Sequence, residues 1–406
     1  MEGTPPITAQ EAAIRDAIAS RAGDLLADLK SFVETPTGPG AVEGLRALRG
    51  VMRSRLEKLG ATCEEVSGDP KPAWLESKPS SAPPPPTLIA RQTSVGADDS
   101  KRILLSGHLD TVHDPAGSFR ELTLSSDRKK ATGPGCVDMK GGLVIALHAL
   151  EALRALGIPV RWSFILNSDE ETGSFHSDRA LRNTATSHDV GLALEPAMPD
   201  GGLVVERAGS GQFMIECHGR AAHVGRDFAN GVSAVNLLAE RILRVARIPR
   251  PTMGIVANVG PLEGSVATNV VPDHARAWGN MRYPTTPDAE YLKSSIQALA
   301  TSVNSMPRAN VEMVFNRPAK PMTPQVESLA LLARACAESL GQTLPFGKTG
   351  GVCDGNNLQA AGLPTIDTLG VRGGGLHTPQ EWIEIPSLVE RCQLLALLLC
   401  RLSKGA

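Results

Sequence analysis

The stretch RILLSGHLDTV (102–112) opens on an apolar run without alternation and closes on a polar cluster. A strand that is apolar on both faces belongs in a parallel sheet covered by helices. TLIA (87–90), VRWSFILNS (160–168), VGLALE (190–195) and GLVVE (202–206) read the same way. Between them MKGGLVIALHALEALRALG (139–157) has helical spacing. Upstream, 10–34 and 42–60 read as amphipathic helices and ATCEEV (61–66) as a strand. Helices alternating with short apolar strands predict an α/β unit with a mixed, largely parallel sheet. In such sheets functional groups gather beyond the carboxyl ends of strands. The clusters GHLDT, SDEET and EP fall there.

Downstream the pattern changes. QFMIECHG, GVSAVNLLAERILRVA, TMGIVANVG, HARAWGNMRY, PDAEYLKSSIQALATSV and NVEMVF follow one another between 211 and 318. They read as strand, helix, strand, strand, helix, strand, the order of a ferredoxin-like α+β module. The first pattern then resumes, with a helix near 324–340, a loop TGGVCDGNN (349–357), a strand PTIDTL (364–369), a glycine-rich loop and a closing helix. The expected organisation is a discontinuous unit of residues 1–210 and 319–406, interrupted by a unit of residues 211–318. The proline-rich segment 69–86 reads as a surface loop, because proline removes donors and fixes φ.

A length of 406 residues suits two or three domains. Lys and Arg number 41 against 43 Asp and Glu, so the basic surplus that a nucleic-acid binder uses on phosphates is missing. Aromatic residues are only 3%, too few for a base-stacking platform. The seven cysteines are scattered, odd in number and without a CxxC, which predicts reduced thiols and a cytoplasmic location. The N-terminus has no basic region leading into an apolar one, so no signal peptide is expected. LLALLLC (394–400) is too short to span a bilayer, and no membrane partner is expected.

Seven residues carry the chemistry, five of them as metal donors. His108 and Asp110 lie two apart at a strand end, on one side of the chain. A metal-bound histidine commonly gives its other ring N–H to a carboxylate, although a surface histidine beside an acid has the same spacing. Asp138 sits in GPGCVDMKGG, where an acid is also favoured by a helix N-terminus. The phosphate-loop pattern is absent there, since Gly141 follows Lys140. Glu170 and Glu171 follow an apolar strand directly. Two neighbouring acids at a buried strand end repel each other and call for a cation. One of them can then bind metal while the other faces substrate. Glu195 ends another strand, and His377 lies in GGGLHTPQEW. These nitrogen and oxygen donors suit zinc or a similar divalent ion. Five donors exceed the needs of one four-coordinate ion but suit two ions about 3.5–4 Å apart that share a carboxylate.

The motifs GHLDTV (107–112), GPGCVDMKGG (133–142), SDEETGS (168–174), LEP (194–196), GRAAHVG (219–225) and GGGLHTPQEW (373–382) together resemble the M20 family of metallopeptidases and deacylases. SDEETGS and ATNVVPD (267–273) are most similar to its glutamate carboxypeptidase branch. The resemblance implies a dinuclear zinc catalytic domain, with Co2+ or Mn2+ as substitutes, and an inserted lid that forms a homodimer. It implies that His108 and Glu195 hold one ion, that Asp138 bridges to the second, and that Glu171 and His377 complete it. It further implies Asp110 as orienter of His108, Glu170 as general base and a cis bond at Asp138–Met139. His223 would reach the active site of the partner subunit, and Asn269 and Arg282 would bind substrate, the arginine through its carboxylate. Backbone N–H groups of Gly373, Gly374 and Gly375 are the alternative carboxylate site. Cys353 stands where many relatives have Ser or Thr. The remaining histidines (113, 148, 176, 188, 218 and 274) match no ligand position.

The activity the resemblance implies is hydrolysis of an amide in a peptide or N-acyl amino acid with a free carboxylate, by a glutamate carboxypeptidase-like exopeptidase. The alternatives are an N-acyl-amino-acid deacylase of the aminoacylase or acetylornithine deacetylase type, or a non-catalytic metal-binding homologue. The presence of Glu170 argues against the last, because a binder needs ligands but no base.

Overall fold

A computed structural model describes residues 7–75, 83–92 and 100–404. The six-stranded main sheet runs in the order Thr62–Val66, Thr87–Gln92, Arg161–Asn167, Arg102–His108, Val190–Ala193, Thr365–Ile366. The last four strands are parallel, and the first two are added antiparallel at one edge. Strand Arg102–His108 shows why its sequence lacks alternation. Ile103 and Leu105 enter the larger core, with helices Gly141–Ala155 and Ile385–Leu402. Leu104 enters a smaller core on the other face, with Ala180, Leu181 and Leu358. Parallel register then brings His108 level with Asn167 and Ser106 level with Ala193. The polar residues after all three strands therefore emerge along one edge.

Helix Gly141–Ala155 can approach that edge because Gly142 has no side chain: a Cβ there would lie 2.2 Å from the Leu194 carbonyl oxygen. A small sheet of Gly373–Gly374, Trp382–Glu384, Lys130–Thr132 and Thr123–Leu124 sets the loop 133–138 beside the turn 375–381.

A second, four-stranded sheet is antiparallel throughout, in the order Val256–Glu263, His274–Tyr283, Gly209–His218, Arg308–Arg317. That is the ferredoxin-like order. Its helices, Ala234–Val245 and Thr286–Gln297, bury a separate core that includes Phe213, Ile215, Leu238, Leu292 and Ile296. At the junction with the main sheet, Arg207 and Lys320 exchange backbone hydrogen bonds of 2.9 and 3.0 Å. Both side chains reach Asp367, at 2.7 Å from Arg207 and 3.2 Å from Lys320.

Three sequence expectations need correction. Residues 10–34 form two helices, Ala9–Ala19 and Ala22–Val33. The break falls where the Ser20 hydroxyl donates to the Ala17 carbonyl, at 2.8 Å. GLVVE is not in the main sheet: Leu203–Arg207 pairs with Phe346–Thr349 in a two-stranded parallel ribbon. The loop expected at TGGVCDGNN becomes helical at Asp354–Ala360, because the Asn356 side chain accepts the Cys353 N–H at 3.1 Å and caps the first turn. Part of the proline-rich segment, 76–82, lies outside the described residues. No helix among the described residues is long and apolar enough to cross a membrane.

Candidate active site

His108 ends its strand and is 1% exposed. Its Nε2 lies 3.2 Å from Asp138 Oδ1. Its Nδ1 is 3.0 Å from the Asp110 backbone carbonyl and 3.5 Å from the Asp110 carboxylate. That carboxylate accepts the backbone N–H of Glu170 at 3.2 Å and of Glu171 at 3.0 Å. Asp110 thus holds the backbone of the acidic pair as well as facing the imidazole. Asp138 follows a tight turn at Gly135, whose φ of +69° is in the left-handed region that favours glycine. The Asp138–Met139 peptide is cis. From the facing turn, His377 brings Nε2 to 3.2 Å from Glu171 and 3.5 Å from Asp138.

The electrostatics show a crowded set of acids. Burial raises the Glu171 carboxyl, with repulsion from Asp138 added and a bond to His377 opposing, to about 7. Burial pushes Glu195 well above the carboxylate range, with Glu170 and Asp138 adding repulsion. Burial disfavours a charged His108, but its bonds to Asp110 and Asp138 prevail and hold its pKa well above the ordinary value. Bonds to Asp138 and Glu171 raise His377 to about 10. A cation would restore charge to the strained carboxylates. The donors fit a divalent metal: ligand atoms of His108, Asp138 and Glu171 lie within 4.8 Å of one another, and all are nitrogen or oxygen.

Glu170 points elsewhere. Its Oε1 accepts from Arg317 Nη1 at 2.5 Å, while Arg317 Nη2 donates to the Glu170 carbonyl at 2.8 Å and to Ser174 Oγ at 2.7 Å. Arg317 ends the last strand of the second sheet and is 2% exposed. Asp354 joins this group through Ser174 at 2.5 Å and Asn167 at 2.7 Å, and burial raises its pKa to about 7. Across Ser210, in register with both, stands Arg282. Arg282 donates to the Ser210 hydroxyl and pairs with no carboxylate among the described residues. Burial, and then the charge of Arg317, lower its pKa.

His223 and Asn269 are exposed and lie at the short ribbon that pairs Ala222–His223 with Val270–Val271, where the Val224 N–H donates to the Asn269 carbonyl at 3.0 Å. No hydrogen bond or ion pair among the described residues joins either to the His108 cluster. Gly373 and Gly374 pair with Ile383 and Trp382 as a short strand, and Gly375 is exposed.

Sequence reasoning missed Arg317, Asp354 and Glu381. Arg317 had a signal, since VFNRP places a lone arginine at a strand end just as NMRYP does for Arg282. Glu381 also had one, an acid four residues beyond His377 in a strand of glycine and polar residues.

A histidine–carboxylate cluster at the strand ends of an α/β sheet, beside a ferredoxin-like unit, defines a metal-dependent hydrolase of the peptidase class. The chain belongs to peptidase family M20/M25/M40, whose model matches residues 104–401. It is 26% identical over 384 residues to carboxypeptidase G2 of Pseudomonas sp. (strain RS-16), covering 93% of this chain and 89% of that protein. It is 27% identical over 374 residues to succinyl-diaminopimelate desuccinylase of Cupriavidus pinatubonensis, covering 85% and 90%. A tripeptidase from Staphylococcus aureus has the same fold, with a TM-score of 0.76 at 21% identity over 94% of this chain and 99% of that one.

Proposed function

We propose that this M20 hydrolase is a dinuclear zinc carboxypeptidase that removes a C-terminal amino acid, glutamate in the first instance, from a peptide or N-acyl substrate. The observation that carries the reading is a cluster in which ligand atoms of His108, Asp138 and Glu171 lie within 4.8 Å of one another, together with an arginine, Arg282, that pairs with no carboxylate among the described residues. His108, Asp138, Glu171, Glu195 and His377 would hold the ions, with Asp138 shared. Zinc held there would supply Lewis acidity toward the amide carbonyl and a water acidic enough to ionise near neutral pH. Glu170 accepts the proton of the attacking water and returns it to the leaving amine. Arg317 holds the Glu170 carboxylate in place through Nη1. Arg282 offers a planar fork that fits a carboxylate at two points.

The exposure of His223 and Asn269 at this ribbon supports a homodimer in which these residues complete the active site of the second copy. His223 would donate a hydrogen bond to the oxyanion, and Asn269 would bind substrate. All seven cysteines are free, which supports a cytoplasmic location. The second reading, an N-acyl-amino-acid deacylase, is favoured by the likeness to a desuccinylase at similar identity. Release of free amino acid from peptidyl-glutamate, N-acetyl and N-succinyl amino acids, with zinc added, separates the two. Turnover confined to N-acyl substrates would overturn the carboxypeptidase reading.

A further inference from the structure

Glu381 is 1% exposed, and among the described residues no arginine or lysine forms an ion pair with its carboxylate. Its partners are backbone groups of one loop. Oε1 accepts the N–H of Val137 at 2.8 Å and of Asp138 at 3.0 Å. Oε2 accepts the N–H of Gly135 at 3.0 Å and lies 2.5 Å from His113 Nε2. The Glu381 carbonyl accepts a further N–H, from Gly133, at 3.1 Å. Successive N–H groups converging on one anion form a concave cradle, and the turn at Gly135 creates it here. A side chain at Gly135 would strike Thr111, with a Cβ 2.4 Å from its Cγ2.

We infer that Glu381, braced by His113, is the positioning residue for the bridging carboxylate Asp138; this rests on the metal-site reading above. The argument is one of connection. Glu381 accepts the N–H of Asp138 itself, so it holds the atom bonded directly to the ligand's own Cα. The same residue closes the turn that presents His377, since the Glu381 N–H donates to the Thr378 carbonyl at 3.1 Å. One carboxylate therefore sets two ligand-bearing loops against each other, and their side chains stand 3.5 Å apart. A charged acceptor makes each of these bonds stronger than a neutral one would. His113 is held edge-on by Phe119, with ring centroids 5.2 Å apart, so the brace is itself fixed.

The test is metal affinity in the full chain, by competition with a chelator for Zn2+ and by the visible spectrum of bound Co2+. Glu381→Gln keeps one acceptor oxygen but turns an NH2 toward Gly135 and His113. Zinc binding should weaken about 10- to 100-fold, the usual effect of losing a partner behind a ligand, and the Co2+ bands should shift. A purely structural residue would lower the melting temperature of the metal-free protein and leave affinity and spectrum alone. That outcome overturns the proposal. Should Glu381→Gln fail to fold, His113→Asn removes one arm of the same carboxylate and should weaken zinc at least threefold; wild-type affinity there overturns the proposal too. Wild type that takes up no metal would remove the site reading and this inference with it. Wild type that binds two ions, beside an unaffected Glu381→Gln, removes the inference alone.

Discussion

Replacing Asp367 by alanine should destabilise the protein more than any other single change at the junction of the two sheets. The carboxylate is fully buried, bonds Arg207 at 2.7 and 3.0 Å, and lies 3.2 Å from the Lys320 ammonium. Removal leaves two buried cations with no anion between them. Breaking one buried pair from one side costs about 3–5 kcal/mol, so the loss here should reach the upper part of that range. The double variant Asp367→Ala/Lys320→Met removes one stranded charge and should recover at least about 1 kcal/mol, within the usual coupling of neighbours. The pH dependence has a definite sign. Burial disfavours the Asp367 carboxylate, but Arg207 and Lys320 prevail and hold its folded pKa below the ordinary value. Its contribution is then complete above the unfolded pKa of about 3.9 and is lost as pH falls through the lower folded value. Urea unfolding followed by tryptophan fluorescence, at pH 7 and at steps below pH 4, measures both effects. A loss under about 1 kcal/mol at pH 7, or a double variant no more stable than the single one, would refute this reasoning.

The catalytic assignments make their own predictions. Glu170→Gln should retain metal and lose at least about 100-fold in turnover, whereas Glu171→Gln should lose metal affinity; elemental analysis and kcat with reversed outcomes would exchange the two roles. Arg282→Ala should abolish discrimination between free-acid and amidated forms of one substrate, which in wild type should differ by about 30-fold to several thousand-fold in kcat/KM. Arg282→Lys should not rescue it, because an ammonium lacks the fork. Mixing inactive His223→Ala with inactive Glu170→Gln should regenerate activity through hybrid dimers, and no recovery among dimers shown to exchange subunits would end the in-trans role.

The sequence is legible where a residue's role follows from its neighbours. Uninterrupted apolar runs such as RILLSG give buried strands, and each polar cluster is read from the strand it terminates. His108 and the Glu170–Glu171 pair can be picked out this way because they follow apolar strands, whereas Asp138 and His377 stand in glycine-rich loops and take their roles from the family resemblance. Arg317 and Glu381 are only hinted at by their local motifs, since what gives them meaning is 147 and 243 residues away, at Glu170 and Asp138. The break at Ser20 and the helix at Asp354 depend on single side chain–backbone bonds, which periodicity does not register. GLVVE fails for another reason. Its apolar content says that it is buried, but an apolar run does not name the sheet that buries it. His148 shows the same limit. It lies on a buried helix, but its Nε2 bonds Asp28 at 2.8 Å, a partner on another helix.

The interleaving of the two sheets sets a timetable for synthesis. The strands and helices of the second sheet are contiguous in the chain, between Gly209 and Arg317, so its core can close soon after they leave the ribosome. The main sheet cannot finish then. Its edge strand Thr365–Ile366 and the helix Ile385–Leu402, which packs against Gly141–Ala155, arrive last. At about 5–20 residues per second, the roughly 85 residues from Arg317 to Leu402 take about 4–17 s. Throughout that interval the apolar face of Gly141–Ala155 and the free edge of Val190–Ala193 lie uncovered beside a finished neighbour. A nascent chain of this protein therefore depends on holding those two surfaces apart from other chains until its last helix is made.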